Sequence, residues 1–380
     1  MMREVAVIGT GMIRFGKYPD VSLADLGWPA ARQAMDDAGV EPEDIGALFC
    51  GTGLGGPMPG QRIFGRLGMA GLPIINVENA CSSGSSALNL GHTAIASGRY
   101  DIVMVMGVEK LTKFNGGPIP LEKEDWEVAN GLVMPALYAM RARRYMHEHG
   151  ATPEQLAGVV VKSRRHAALN PDAQLRGETT VEEVLASRMI ADPFTLFQCC
   201  PTGDGAAAVV LCAADLASRY SPRPVKVQAS HVASGHFESG PRDMTVPEIT
   251  VRCAAETYEE AGLGPEDIDV AEVHDAFTSA ELMYYEAFGF CRRGEAVQLL
   301  ESGATSLGGR IPVNPSGGLL SKGHPVAATG AAQVVEVVRQ LQGRCGKRQV
   351  EGAKVGLTHA TGGGISGFDH GVCAIHIFTV

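Results

Sequence analysis

Apolar and polar positions along the chain fall into short runs and longer amphipathic stretches. Ile45–Cys50, Ile74–Asn79, Ile102–Gly107, Ala206–Cys212, Ile268–Val273 and Lys354–Thr358 are short and rich in Val, Ile, Leu and Ala, which predicts buried strands. Leu23–Asp37, Cys81–Ser97, Thr250–Glu260 and Gly323–Gln342 are longer and predict helices. Two of these helices are rich in small residues (Ser83, Gly84, Ser86, Ala87; Ala327, Ala328, Gly330, Ala331), the pattern of a pair packed closely between sheets. The first sixteen residues read as a strand running into a Gly turn rather than a secretion signal.

One stretch of this pattern occurs twice. Asp37-Ala38-Gly39-Val40-Glu41-Pro42-Glu43-Asp44-Ile45 is echoed by Glu260-Ala261-Gly262-Leu263-Gly264-Pro265-Glu266-Asp267-Ile268, with six identities in nine positions. Each copy follows a helix and precedes a strand. Ala-Gly closes the helix and Pro-Glu-Asp opens the turn. A duplicated αβ unit implies an α/β architecture of two similar halves, each with its own sheet layer. The expected boundaries are 1–215 and 216–380. The first half carries an inserted, charge-rich loop domain at about 113–203, long enough to suggest a binding role.

Composition narrows the function. The chain has 380 residues, 45% of them hydrophobic and 19% charged, enough for a large core in one fused body or roughly two or three units. A net charge of −10 argues against nucleic-acid binding, and no run has the length of a membrane span, so a cytoplasmic protein is expected. Nine cysteines form no CxxC pair, so reduced thiols and no metal site are expected.

One cysteine stands out. Cys81, in Asn79-Ala80-Cys81-Ser82-Ser83-Gly84, sits where a strand turns into a helix. There the first-turn N–H groups should lower the thiol pKa and make it nucleophilic. His324, in Ser321-Lys322-Gly323-His324-Pro325, also opens a helix, where an imidazole stays neutral and can take a proton. Duplication would bring these two helix N-termini together as nucleophile and base. His274 and His359 end predicted strands, and Gly362-Gly363-Gly364 follows His359 closely. Backbone N–H groups of such a loop can hold an oxyanion.

These motifs together resemble the thiolase superfamily along essentially the whole chain. Asn79–Gly84 and Gly323–Pro325 are specific, and His274-Asp275-Ala276-Phe277 is similar to the sterol-carrier-protein-type and archaeal-type branch. Ser187–Pro193 and Cys200–Ala206 are similar to a loop-return segment of that branch. The resemblance implies a five-layer αβαβα sandwich with the loop domain inserted, usually dimeric, acting on acyl-CoA with coenzyme A as substrate and no bound cofactor. It implies that Cys81 carries the acyl group and that His324 activates the thiol and helps hold the thioester oxygen. His274 would stand for the family Asn that positions an oxyanion-hole water. The N–H groups of Cys81 and Gly362 would form a second oxyanion hole.

The sequence departs from the family at one point. A second cysteine, the usual proton shuttle, is missing from both its places, which read Ala360-Thr361-Gly362 and Ala276; His359 is the substitute the sequence offers. The resemblance also implies a separate OB-fold, zinc-ribbon partner of the kind that helps hold acyl-CoA. For the CoA phosphates the sequence offers Arg141, Arg144, Lys162 and Arg165, with Ser316 as a further contact. The expected activity is transferase chemistry in lipid or aromatic-acid metabolism, cleaving or forming a 3-oxoacyl-CoA. A thiolase-fold carbon–carbon lyase and a non-catalytic acyl-CoA-binding subunit are the alternatives.

Overall fold

The computed structural model of the protein describes residues 2–68, 71–115, 119–236, 242–364 and 369–380. Nine strands build its large sheet: β1 Val5–Met12, β2 Ala47–Gly51, β3 Ile74–Val77, β4 Ile102–Lys110, β5 Asp204–Ala213, β6 Val225–Ser234, β7 Val270–Glu272, β8 Val355–Gly362 and β9 Val372–Thr379. Their order is β3-β2-β4-β5-β1-β6-β9-β8-β7. Five strands come from the first half of the chain and four from the second. Instead of two separate sheets, the halves are hydrogen-bonded into one where Val5–Val7 pair with Val225–Val227.

The helices that position the site are α1 Leu23–Ala38, α2 Ser83–Ala96, α3 Met134–His149, α4 Pro153–Ala168, α5 Glu248–Ala261, α6 Thr278–Ala287 and α7 Ala328–Leu341. Among them α2 and α7 touch each other and strands of both halves, whereas α1 packs chiefly on strands of the first half and α5 chiefly on strands of the second. That gives the αβαβα layering. Its central layer buries Ala87, Leu88, Ala331 and Val334 against Val103, Val209 and Val227, wholly removed from water. Burying such a side chain is worth roughly 1.5–3 kcal/mol, which is why apolar strands and a small-residue helix pair settle together.

The repeat is visible down to its hydrogen bonds. Gly39 and Gly262 both close their helices with φ near +65°, where glycine alone is unstrained. Asp44 then accepts the Glu41 N–H at 2.9 Å, and Asp267 accepts the Gly264 N–H at 2.8 Å. The close approach of α2 and α7 is just as specific. A Cβ on Gly84 would lie 2.4 Å from the Ala327 carbonyl, so only glycine lets the two N-termini meet.

Candidate active site

The turn between β3 and α2 is tightly specified. Ala80 holds φ at +47°, a strained value for a residue with a side chain. It is pinned by its own N–H to Glu78 Oε1 (2.7 Å) and by Ser83 Oγ, which donates to the Ala80 carbonyl (2.6 Å). Cys81 follows in a short 3₁₀ turn and is partly exposed. The backbone N–H groups of Gly363 and of Cys81 itself lie close enough to the sulfur to favour its thiolate form.

The thiol nonetheless behaves opposite to the sequence expectation. Burial, with the buried Glu109 carboxylate nearby, pushes it up to about 12, and the two N–H groups only partly offset this. Glu109 is itself fixed, accepting the N–H groups of Gly53 (2.9 Å) and Leu54 (3.1 Å). The helix proper begins after Cys81, so its dipole does not prevail over an acid in the low-dielectric interior. Alkylation of Cys81 by iodoacetamide should therefore climb about tenfold per pH unit from 7 to 9.5 without levelling. Peptide mass spectrometry reads this at the Cys81 site, and a plateau near pH 7 would show an activated resting thiolate instead.

His324 is buried just ahead of α7, after Gly323 (φ +112°). Its Nδ1 meets Thr329 Oγ1 at 2.8 Å, which fixes the ring. Burial, and then Lys322, lower its pKa to about 3, so the imidazole is neutral. His274 approaches from the end of β7, its ring edge-on to His324 at 5.1 Å between centroids. The Cys81 sulfur and one nitrogen of each histidine all lie within 4.8 Å of one another. Among the described residues this trio also has the donor types of a zinc site, though the same atoms are a nucleophile and two proton carriers.

Gly362 ends β8 against this turn. A Cβ there would stand 2.3 Å from the Asn79 carbonyl and 3.0 Å from the Cys81 nitrogen. The next residue, Gly363, contributes the backbone N–H that most favours the Cys81 thiolate.

Other sequence candidates lie elsewhere. His359 is fully buried, its Nδ1 accepting the His274 N–H (3.3 Å) and its Nε2 facing Thr250 Oγ1 (3.2 Å). It braces His274 from behind, with both nitrogens occupied. Lys162 is buried in an ion pair with Glu281 (2.5 Å) and donates to Tyr285 and the Val313 carbonyl. Removing its charge would strand Glu281 in the core, so it is a stability contact rather than a phosphate contact. Arg141 is buried too, donating to the Met244 carbonyl and standing 4.0 Å from Asp369. Arg144 pairs with Glu148 along its own helix, and Arg165 is exposed. Ser316 is buried and gives both its N–H and its hydroxyl to Glu272.

The structure adds a group that sequence reasoning passed over. Tyr138, on α3, meets His370 Nε2 at 2.7 Å, and His370 Nδ1 stands 3.5 Å from Asp369. The His370 ring lies 6.4 Å from that of His274. Only the Asp-His pair before the last strand hinted at it; a tyrosine 232 residues away carried no signal.

The family described as "Thiolase, N-terminal domain" matches residues 5–215, and "Thiolase C-terminal domain-like" matches residues 230–372. The chain is 45% identical to the acetyl-CoA acetyltransferase of Methanothermobacter thermautotrophicus, over all of both chains. It is 44% identical to the benzoylsuccinyl-CoA thiolase subunit BbsB of Thauera aromatica, over 95% of each chain. Sterol carrier protein 2 of Gallus gallus is 36% identical over 95% of this chain and 70% of that one. Among solved structures, the Ltp2-ChsH2(DUF35) aldolase superposes with a TM-score of 0.84 at 27% identity, covering 98% of this chain and 97% of the other.

Proposed function

The chain belongs to the thiolase family and is an acyltransferase of acyl-CoA thioesters; from that premise we propose that it cleaves or forms a 3-oxoacyl-CoA through an acyl intermediate on Cys81. The observation that carries this reading is the convergence of Cys81, His274 and His324 within 4.8 Å at the Gly362-Gly363 turn.

A neutral His324 and a neutral thiol suit a proton transfer that waits for substrate. When the 3-keto carbon reaches the sulfur, the His324 ring takes the thiol proton and the sulfur attacks. The carbonyl oxygen gains charge in that step, and backbone N–H groups of the Cys81 turn and the Gly362-Gly363 loop packed against it are the proposed donors for it. On the other side the unpaired Nδ1 of His274 is buried and free to hold a water or the thioester oxygen. Breaking the C2–C3 bond then leaves the acyl group on Cys81 and an enolate at acetyl-CoA. Incoming CoA takes the acyl group off.

A second reading, carbon–carbon lyase chemistry, draws on the aldolase among the similar structures. A thiol set between two neutral imidazoles favours acyl transfer over it. A non-catalytic acyl-CoA-binding role leaves the same assembly without a use. The substrate's acyl group is proposed to be apolar, of lipid or aromatic-acid type. A shallow cleft beside Gly364 and Asp369, with a cavity volume of only about 30 Å³, has Leu121, Val128, Leu132 and Met134 in its wall and offers an apolar surface for it.

The assembly is proposed to be a homodimer of chains with halves at 1–215 and 216–380. Edge strand β3, with Ile75 exposed, supports pairing with a second copy. A separate OB-fold, zinc-ribbon partner is proposed as well; the words "subunit" and "DUF35" in the names of two similar proteins support it. A cytoplasmic location is proposed; among the described residues no helix is long and apolar enough to cross a membrane.

Acyl trapping tests the central reading. Quenching the enzyme with a 3-oxoacyl-CoA and no free CoA should leave an acyl mass on the Cys81 peptide. An unmodified Cys81 under turnover conditions would rule the acyl-enzyme route out.

A further inference from the structure

The acyl-transfer reading leaves one proton without a carrier. The enolate released from C2 must be protonated, and the CoA thiol of the second half-reaction must lose its proton. Ala360 and Ala276 are buried methyl groups with no proton to offer, and His359 has both nitrogens occupied.

Tyr138 has what these positions lack. Its ring stacks on Phe277 at 4.3 Å between centroids, three residues past His274 in the chain. Its hydroxyl is bonded to His370, whose ring neighbours that of His274. Behind His370 stands Asp369. Burial favours its neutral form, but His370 and Arg141 outweigh this and hold it ionised, its pKa at about 2. The Asp369–His370 contact, at 3.5 Å, is longer than a short hydrogen bond. Tyr138 and Arg141 are three residues apart on α3 and so share a face toward this pair.

We propose that Tyr138 is the second acid/base of the reaction, with His370 and Asp369 positioning its proton. The inference rests on the acyl-transfer reading above. The Tyr138 O–H bond breaks and its proton goes to C2 of the enolate, completing acetyl-CoA. The tyrosinate is stabilised by His370. It then takes the S–H proton of incoming CoA as that sulfur attacks the acyl-Cys81 thioester. The Cys81 sulfur leaves with the proton held on His324, and the enzyme returns to its starting state. No other reactant is needed. The arrangement follows the logic of a nucleophile–histidine–carboxylate triad, with a phenol in place of the alcohol.

The test is exchange of the acetyl-CoA methyl protons in D₂O by the whole chain, read by mass spectrometry. Tyr138→Phe keeps the ring on Phe277 and loses only the hydroxyl. It is expected to slow exchange by about 100-fold or more, with iodoacetamide labelling of Cys81 within about twofold of wild type. His370→Gln should slow exchange less, by about tenfold, through loss of positioning. Wild-type exchange in Tyr138→Phe overturns the proposal. Loss of Cys81 labelling together with exchange also overturns it, by marking a structural role. If exchange is lost in Cys200→Ala but kept in Tyr138→Phe, the shuttle is the partly buried Cys200 thiol and the proposal falls. Acyl trapping keeps the two readings apart: wild-type exchange in Tyr138→Phe with acyl-Cys81 still formed defeats only this inference, whereas no acyl-Cys81 in wild type defeats the nucleophile.

Discussion

Cys81→Ala is expected to lower kcat for thiolysis of a 3-oxoacyl-CoA by about 10⁴-fold or more, because the proposed route carries the acyl chain on this sulfur. The fold should survive. Cys81 lies in a partly exposed 3₁₀ turn whose shape is set by Glu78, Asn79 and Ser83 rather than by the sulfur. The thiol's removal should therefore change stability by only about 1 kcal/mol. Cys81→Ser is the sharper companion. Its hydroxyl is harder to ionise than the thiol and faces the same Glu109, so it too should be nearly inactive. Activity is followed by the loss of 3-oxoacyl-CoA absorbance and stability by thermal unfolding. Wild-type thiolysis in Cys81→Ala would end the nucleophile assignment; a protein that no longer folds would show that the turn depends on the sulfur.

The second large effect is expected at a residue with no side chain. In Gly362→Ala the new methyl would sit 2.3 Å from the Asn79 carbonyl, 2.8 Å from the Ser82 nitrogen and 3.0 Å from the Cys81 nitrogen. All three are backbone atoms of a turn already strained at Ala80, so no flexible side chain can yield. Either β8 or the nucleophile turn must move. Overpacking of this kind costs about 2 kcal/mol. A displacement of the Cys81 N–H by about 1 Å should also lower kcat by about 100-fold, since positioning and oxyanion contacts depend steeply on distance. KM for the acyl-CoA should change far less, because the variant spoils the reacting geometry and not the remote binding surface. An Ala variant with unchanged kcat and melting temperature would mean that the β8 end and the Cys81 turn do not bear on each other.

Much of this protein was legible before folding. The duplicated helix–turn–strand unit is local chemistry: a glycine that can take positive φ, a proline, and an aspartate three residues past an N–H. Such signals need no tertiary partner, which is why both copies were found at the right places. Small residues on α2 and α7 marked the central pair for the same kind of reason, since a missing side chain is a property of one residue. Cys81, His324 and His274 stood out because each lies where a strand or helix ends, and the fold brings those ends to one spot.

What the tertiary structure decided is everything that depends on the far side of a contact. Burial and Glu109 set the direction of the Cys81 pKa, and Glu109 lies on a separate strand, 28 residues further along the chain. In sequence Lys162 and Arg141 have the character of a basic surface, whereas in the fold Glu281 and Asp369 face them in the interior. His359 and His370 are two histidines near one glycine loop. The first is enclosed behind His274, and the second is joined to Tyr138 from the inserted segment. Sequence records which groups a chain can offer. Which of them lose their water, and to which partner, is fixed only when distant segments pack, because desolvation and pairing are properties of two surfaces at once.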